Sequence, residues 1–223
     1  MTAASFAVIF DMDGVVVDNI AYHFDAWRQF TARYGRGLSD DELTRYVNGR
    51  VAKEVLEYLF ERELTPEEVY RYTEEKEGVY RELYRPHLKP TEGLLPLLEL
   101  LRTSDVPTAV ATSAPYSNID FTLGGTGTRP YFREIVDARH VKRGKPDPEI
   151  YLQAAGRLGM RPDRCIVIED ALLGVQAGLA AGMKVIGITT THSAGELSNT
   201  HLVINDFRDL SLPVLRQLVD SHA

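Results

Sequence analysis

Two aspartates one residue apart, Asp11 and Asp13, follow the apolar run Ala7-Val8-Ile9-Phe10 and precede Gly14. In an extended chain alternate side chains share a face, so both carboxylates reach one small site, and Gly14 lets the chain turn at once. Such a pair can cap a turn, hold a metal, or divide nucleophilic and acid/base work. Glu169-Asp170 closes another apolar run and offers hard oxygen ligands of the kind magnesium takes. Asp170 is the stronger ligand of the two, because Glu169 also stands where a helix start supplies backbone donors. Lys145, within Gly144-Lys145-Pro146-Asp147-Pro148, is a cation set between rigid loop residues. Ser113 contributes a hydroxyl, and the neighbouring backbone N–H of Ala114 is a further donor. A carboxylate attacking phosphorus brings anion to anion, which requires a bridging cation and donors around the transferring oxygens. These residue types together meet that requirement.

Five short β-branched runs must position these groups: Ala7 to Phe10, Thr108 to Ala111, Cys165 to Ile168, Lys184 to Ile188 and Leu202 to Ile204. Helical patterns separate them, so the expected architecture is α/β, a doubly wound Rossmann-like parallel sheet. Ligands of such sheets bind beyond the carboxyl ends of the strands, where Asp11, Ser113 and Asp170 fall. Between the first two runs lies a helical insertion. Ile20, Phe24, Trp27, Phe30 and Tyr34 keep helical spacing as far as Gly35, and Ser39-Asp40-Asp41-Glu42 and Thr65-Pro66-Glu67-Glu68 read as capping boxes. The insertion predicts a helical-bundle cap over 18–87, leaving a core of 1–17 and 88–223. Pro86 and Pro90 flank a two-strand hinge at which the cap can rotate. The run Ala171 to Met183 reads as a buried helix packed closely on the sheet, and Leu123-Gly124-Gly125-Thr126-Gly127-Thr128 as a flexible surface loop.

The chain has 223 residues, 44% hydrophobic and 26% charged, which suits a soluble globular protein of one large or two unequal domains. A net charge of -7 without any basic stripe argues against nucleic acid as partner. The single cysteine, Cys165, cannot form an internal disulfide and reads as a packed thiol, consistent with a cytoplasmic location. The N-terminal residues lack the basic start of a secretory signal, and no membrane span is expected.

The motifs Asp11-Met12-Asp13-Gly14, Ser113, Lys145 and Glu169-Asp170, in that order, resemble those of the haloacid dehalogenase superfamily of phosphotransferases. That resemblance implies a magnesium-dependent enzyme in which Asp11 forms an aspartyl-phosphate and Asp13 protonates the leaving group. It further implies that Ser113 and Lys145 hold the phosphoryl oxygens, with Mg2+ among Asp11, Asp170, Glu169 and the backbone carbonyl of Asp13. The second aspartate distinguishes the chain from the superfamily's dehalogenases, which have no use for that acid.

Within the superfamily, Tyr22-His23-Phe24-Asp25-Ala26-Trp27 resembles the first cap helix of the β-phosphoglucomutase-like branch, with Gly49, Lys76 and Tyr80 also in alignment. His23, Trp27, Gly49, Arg50, Lys53 and Lys76, with Ser113 and Ala114, are therefore the expected substrate contacts. The cap arginine with which the mutase grips a distal phosphate falls opposite Ala52. That departure favours water as the second acceptor: a phosphohydrolase for a small phosphorylated metabolite, a sugar phosphate first. β-Phosphoglucomutase is the alternative, and an inorganic pyrophosphatase comes third. Caps of this type work without a partner subunit, so a monomer is expected.

Overall fold

The computed structural model describes residues 5–47 and 51–221, with Thr44 and Arg45 by backbone alone. In chain order it runs β1 (Ala7–Phe10), α1 (Ile20–Arg33), α2 (Asp40–Glu42) leading into a π-helical turn (Leu43–Val47), α3 (Ala52–Phe60) and α4 (Pro66–Tyr84). It continues with α5 (Leu94–Thr103), β2 (Thr108–Ala111), α6 (Tyr116–Ile119), β3 (Glu134–Val136) and α7 (Glu149–Leu158). The last third holds β4 (Cys165–Glu169), α8 (Leu172–Ala180), β5 (Lys184–Ile188), β6 (Leu202–Ile204) and α9 (Leu212–Asp220). The chain divides into two units, one reaching Asp18 and resuming at Lys89, the other Asn19–Leu88.

The larger unit is the expected doubly wound sheet. Among the described residues it has six strands in the order β3-β2-β1-β4-β5-β6, every neighbouring pair parallel. The winding reverses between β1 and β4, and at such a switch point the carboxyl ends of the strands open a crevice. Phe10 pairs with Val110 on one side and with Ile168 on the other, so Asp11 stands level with Glu169, and the Asp11 N–H donates to the Ile168 carbonyl at 3.0 Å. Ile9, Val167 and Val185 are fully buried, packing with Tyr151, Ala154 and Ala155 of α7 and Val175 of α8. Because these strands are covered on both faces, they read as unbroken apolar runs rather than alternating ones.

Two features differ from the sequence reading. β3 was not among the expected strands: three residues at a sheet edge are too short to carry a periodic signal. The glycine-rich segment is not a free loop. α6 continues into a π-helical turn (Asp120–Gly124), Leu123 and Thr128 are buried, and Thr126 Oγ1 donates to the Thr122 carbonyl at 2.6 Å and lies 2.9 Å from Thr128 Oγ1. The threonine hydroxyls supply hydrogen bonds that a reading of the glycines alone leaves out.

The helical unit is held by its own apolar cluster, in which Trp27 and Phe30 pack with Leu56, Leu59 and Tyr72. Both capping boxes form: Ser39 and Thr65 accept from the N–H of Glu42 and Glu68, whose carboxylates accept from the cap residues' own N–H groups. Phe30 sits edge-on to Trp27 at 5.8 Å between ring centres and to Tyr72 at 6.2 Å. Phe30→Ala should cost roughly 3–5 kcal/mol through the cavity it leaves. Hydrogen exchange should show the loss of protection concentrated in residues 19–88, with β1, β4 and β5 protected as in the parent protein.

Candidate active site

The site grows from the level ends of β1 and β4. Past Phe10, the chain turns over Gly14, whose φ of +75° lies in the left-handed region. A side chain at Gly14 would also collide with the Asp170 carboxylate, so the position requires glycine for both conformation and space. The N–H groups of Val15, Val16 and Val17 all donate to the Met12 carbonyl, which makes this turn rigid.

Lys145 reaches the same rim from the loop before α7. Its Nζ is 2.8 Å from Asp11 Oδ1 and 2.6 Å from Glu169 Oε1. Glu169 is fully buried: Oε1 also accepts from the Tyr151 hydroxyl at 2.5 Å, and Oε2 accepts from the N–H groups of Asp170 and Ala171, each at 3.1 Å. Gly174, one turn into α8, makes room for this carboxylate, since a Cβ there would overlap Oε1. Asp170 Oδ2 accepts from the Thr191 hydroxyl, whereas its buried Oδ1 has no hydrogen-bond partner.

Among the described residues, Asp11, Glu169 and Asp170 form a buried trio whose ligand oxygens lie within 4.8 Å of one another. Three carboxylates meet one ammonium, leaving excess negative charge where water is scarce. Burial, opposed by Lys145 and reinforced by Glu169 and then Asp13, pushes the Asp11 carboxyl up to about 7. Burial, followed by the charges of Glu169 and Asp11, raises Asp170 well above the usual carboxylate range. Burial works against the Lys145 charge, but Asp11 and Glu169 more than offset it and hold its pKa well above the ordinary lysine value. An all-oxygen trio with one buried oxygen lacking a donor fits a hard divalent cation such as magnesium.

The other expected residues divide. Asp13 stands partly exposed on the turn beside Asp11, its backbone bridged to Val17. Ser113 is exposed just beyond β2. The N–H of Ala114 donates instead to Thr112 Oγ1 at 3.0 Å, so this expected donor is engaged by the chain itself, because the strand-ending threonine folds back over the turn. In the helical unit, Lys76 Nζ lies 2.8 Å from His23 Nδ1 and 5.0 Å from the centre of the Trp27 ring, bringing three expected residues together. Lys53 stands exposed and pairs with Glu57 one turn further along α3, at 2.8 Å. Gly49 and Arg50 lie outside the described residues.

The sequence reading did not single out Tyr151, Glu77 or Thr191. Tyr151 sits on the apolar stripe of α7 and looks like core. Glu77, buried beside Lys76 at 2.9 Å, looks like one more acid in the Glu74-Glu75-Lys76-Glu77 run. The signal for Thr191 was its place just past the end of β5, on the rim where the other groups gather. Cys165 is the packed thiol expected, and burial pushes it up to about 12.

A doubly wound sheet with an aspartate pair at its switch point and a lysine-bridged acidic trio defines a class of phosphoryl-transfer proteins. The chain belongs to the haloacid dehalogenase-like hydrolase family, whose model matches residues 8–188. It is 35% identical over 195 residues to a phosphorylated carbohydrates phosphatase of Thermotoga maritima, covering 85% of this chain and 88% of that protein. It is 34% identical over 187 residues to a fructose-1-phosphate phosphatase of Escherichia coli, covering 81% and 95%. A HAD hydrolase of family IA, variant 3, from Entamoeba histolytica superposes with a TM-score of 0.90 at 30% identity, covering 97% of this chain and all of that one. The protein is thus an enzyme, a HAD-like phosphatase. Among the described residues, no helix is long and apolar enough to cross a membrane.

Two outcomes follow from the geometry. Gly174→Ala should displace Glu169 and with it Lys145, lowering kcat by about a hundredfold with little change in far-UV circular dichroism. Asp11 has a folded pKa of about 7, above its unfolded value, so its contribution to stability is present at low pH and lost as pH rises through about 7. In EDTA, the urea midpoint of the parent protein relative to Asp11→Asn should therefore fall between about pH 4 and pH 7 and level off above that.

Proposed function

We propose that this protein is a magnesium-dependent phosphohydrolase for a small phosphorylated metabolite, a sugar monophosphate in the first instance. The observation that carries the reading is the Asp11–Lys145–Glu169–Asp170 cluster at the sheet's switch point. Asp11, Asp170 and Glu169, with the Asp13 carbonyl, would hold Mg2+. Bound there, the ion offsets the charge that builds up as carboxylate and phosphoryl oxygens approach.

The chain's own residues then divide the work. An Asp11 oxygen attacks phosphorus, forming an O–P bond as the bond from phosphorus to the sugar oxygen breaks. Asp13 gives its proton to that departing oxygen and, as a carboxylate, removes one from the water that hydrolyses the aspartyl-phosphate. Orthophosphate leaves and both aspartates are restored. Lys145, fixed by Glu169, and the Ser113 hydroxyl hold the phosphoryl oxygens. Residues 19–88 serve as the cap in this reading, and His23, Trp27 and Lys76 are its proposed substrate contacts.

The named activities of the two phosphatase relatives support a sugar phosphate as substrate. Hydrolysis is favoured over phosphoryl return to a second sugar hydroxyl because Ala52 stands where the mutase has its arginine, and the nearby Lys53 is paired with Glu57. A panel of hexose and hexitol monophosphates, β-glucose 1-phosphate and pyrophosphate, incubated with Mg2+, tests the reading. Phosphate release from a sugar monophosphate should dominate, stop with EDTA, and fall at least about a thousandfold in Asp11→Asn. Conversion of β-glucose 1-phosphate to glucose 6-phosphate with little free phosphate would establish the mutase instead, and preferred cleavage of pyrophosphate would establish a pyrophosphatase.

A further inference from the structure

Three consecutive threonines, Thr189-Thr190-Thr191, follow β5. Threonines in turns commonly bond to nearby backbone, yet each of these hydroxyls goes to a different distant loop. Thr189 Oγ1 donates to Asn205 Oδ1 beyond β6 at 3.0 Å, and Thr190 Oγ1 donates to the Gly14 carbonyl at 2.5 Å. Thr191 Oγ1 donates to Asp170 Oδ2. The segment therefore ties the turn after β1 and the end of β4 to the end of β5.

We propose that Thr191 is a positioning residue for Asp170, fixing which oxygen of that carboxylate is offered to the divalent cation. Asp170 is 1% exposed, and among the described residues Thr191 supplies the only hydrogen bond to its carboxylate. The oxygen that accepts this bond is also the one lying closest to where a side chain at Gly14 would project. Oδ2 is thus confined from two sides, and Oδ1, buried without a donor, remains for the metal. Thr190 acts in the same strap by holding the Gly14 carbonyl, so the neighbouring turn cannot shift away from Asp170. Partners that orient a metal-binding carboxylate without touching the metal commonly account for 10- to 100-fold in metal affinity. The inference rests on the reading that Asp11, Glu169 and Asp170 bind a cation.

The test is direct titration with Mn2+, following free Mn2+ by electron paramagnetic resonance, on the parent protein and on Thr191→Val, Thr191→Ala, Thr191→Ser and Thr189→Val. Thr191→Val and Thr191→Ala should weaken Mn2+ binding by about 10- to 100-fold, while Thr191→Ser stays within about threefold of the parent. Thr189→Val removes a hydroxyl from the same segment but not from Asp170, and should bind as the parent does. In activity assays the two apolar variants at position 191 should need more Mg2+ for half-maximal rate and approach the parent kcat at saturation. Parent-like Mn2+ affinity in folded Thr191→Val or Thr191→Ala would overturn the proposal while leaving the cation site standing. Equal weakening in Thr189→Val would also overturn it, since the effect would then belong to the whole segment. A parent protein that binds no Mn2+ would overturn the cation reading and this inference together.

Discussion

The partly buried ammonium of Lys145 is the group on which the rest of the site depends. It lies between Asp11 and Glu169, at 2.8 and 2.6 Å, on a rim where three carboxylates share very little water. Taking ions out of water costs several kcal/mol each, and that cost is recovered only when geometry and hydrogen bonding are good. Glu169 meets the condition, with four donors on its two oxygens. Asp11 and Asp170 do not, and their raised pKa values express the shortfall. The fold tolerates this local cost because the strands beneath are buried on both faces and cannot easily move apart.

Such a site is suited to receiving charge rather than to stabilising the protein. In the function proposed, a divalent cation would relieve the excess of carboxylates, and a phosphoryl group would bring oxygens toward Lys145 and the exposed Ser113. Glycine appears where these groups need space. At Gly14 and Gly174 the missing side chains leave room for the carboxylates of Asp170 and Glu169, so two positions that carry no functional group still determine where functional groups lie.

The helical unit follows a similar rule on a smaller scale. Lys76, 2% exposed, is held by Glu77 at 2.9 Å and by His23 at 2.8 Å, and it lies over the faces of Trp27 and Tyr80. An ammonium buried in this way needs a carboxylate close by, and the adjacent residue provides it. The aromatic cluster behind it, Phe30 with Tyr72 and Phe60, supplies the apolar area that keeps the small unit folded.

The sequence by itself determined whatever depends on near neighbours. Ala7 to Phe10 reads as a buried strand ending in Asp11 because an apolar run stops at a carboxylate, and Ser39 and Thr65 read as helix caps because their partners are three residues away. The doubly wound sheet, the helical insertion, and the gathering of Asp11, Lys145 and Asp170 at one rim were legible for the same reason, aided by a specific order of motifs. Tertiary structure alone decided the partners. Tyr151 meets Glu169 across 18 residues, Lys145 meets it across 24, and Thr191 meets Asp170 across 21. Three local contacts escaped the sequence reading for another reason, Thr112 with the N–H of Ala114, Glu77 with Lys76, and Thr126 with the Thr122 carbonyl: each side chain has several nearby partners to choose from. Periodicity records which face of an element is buried, whereas the choice of partner depends on strand register and helix packing, and these exist only once distant segments have come together.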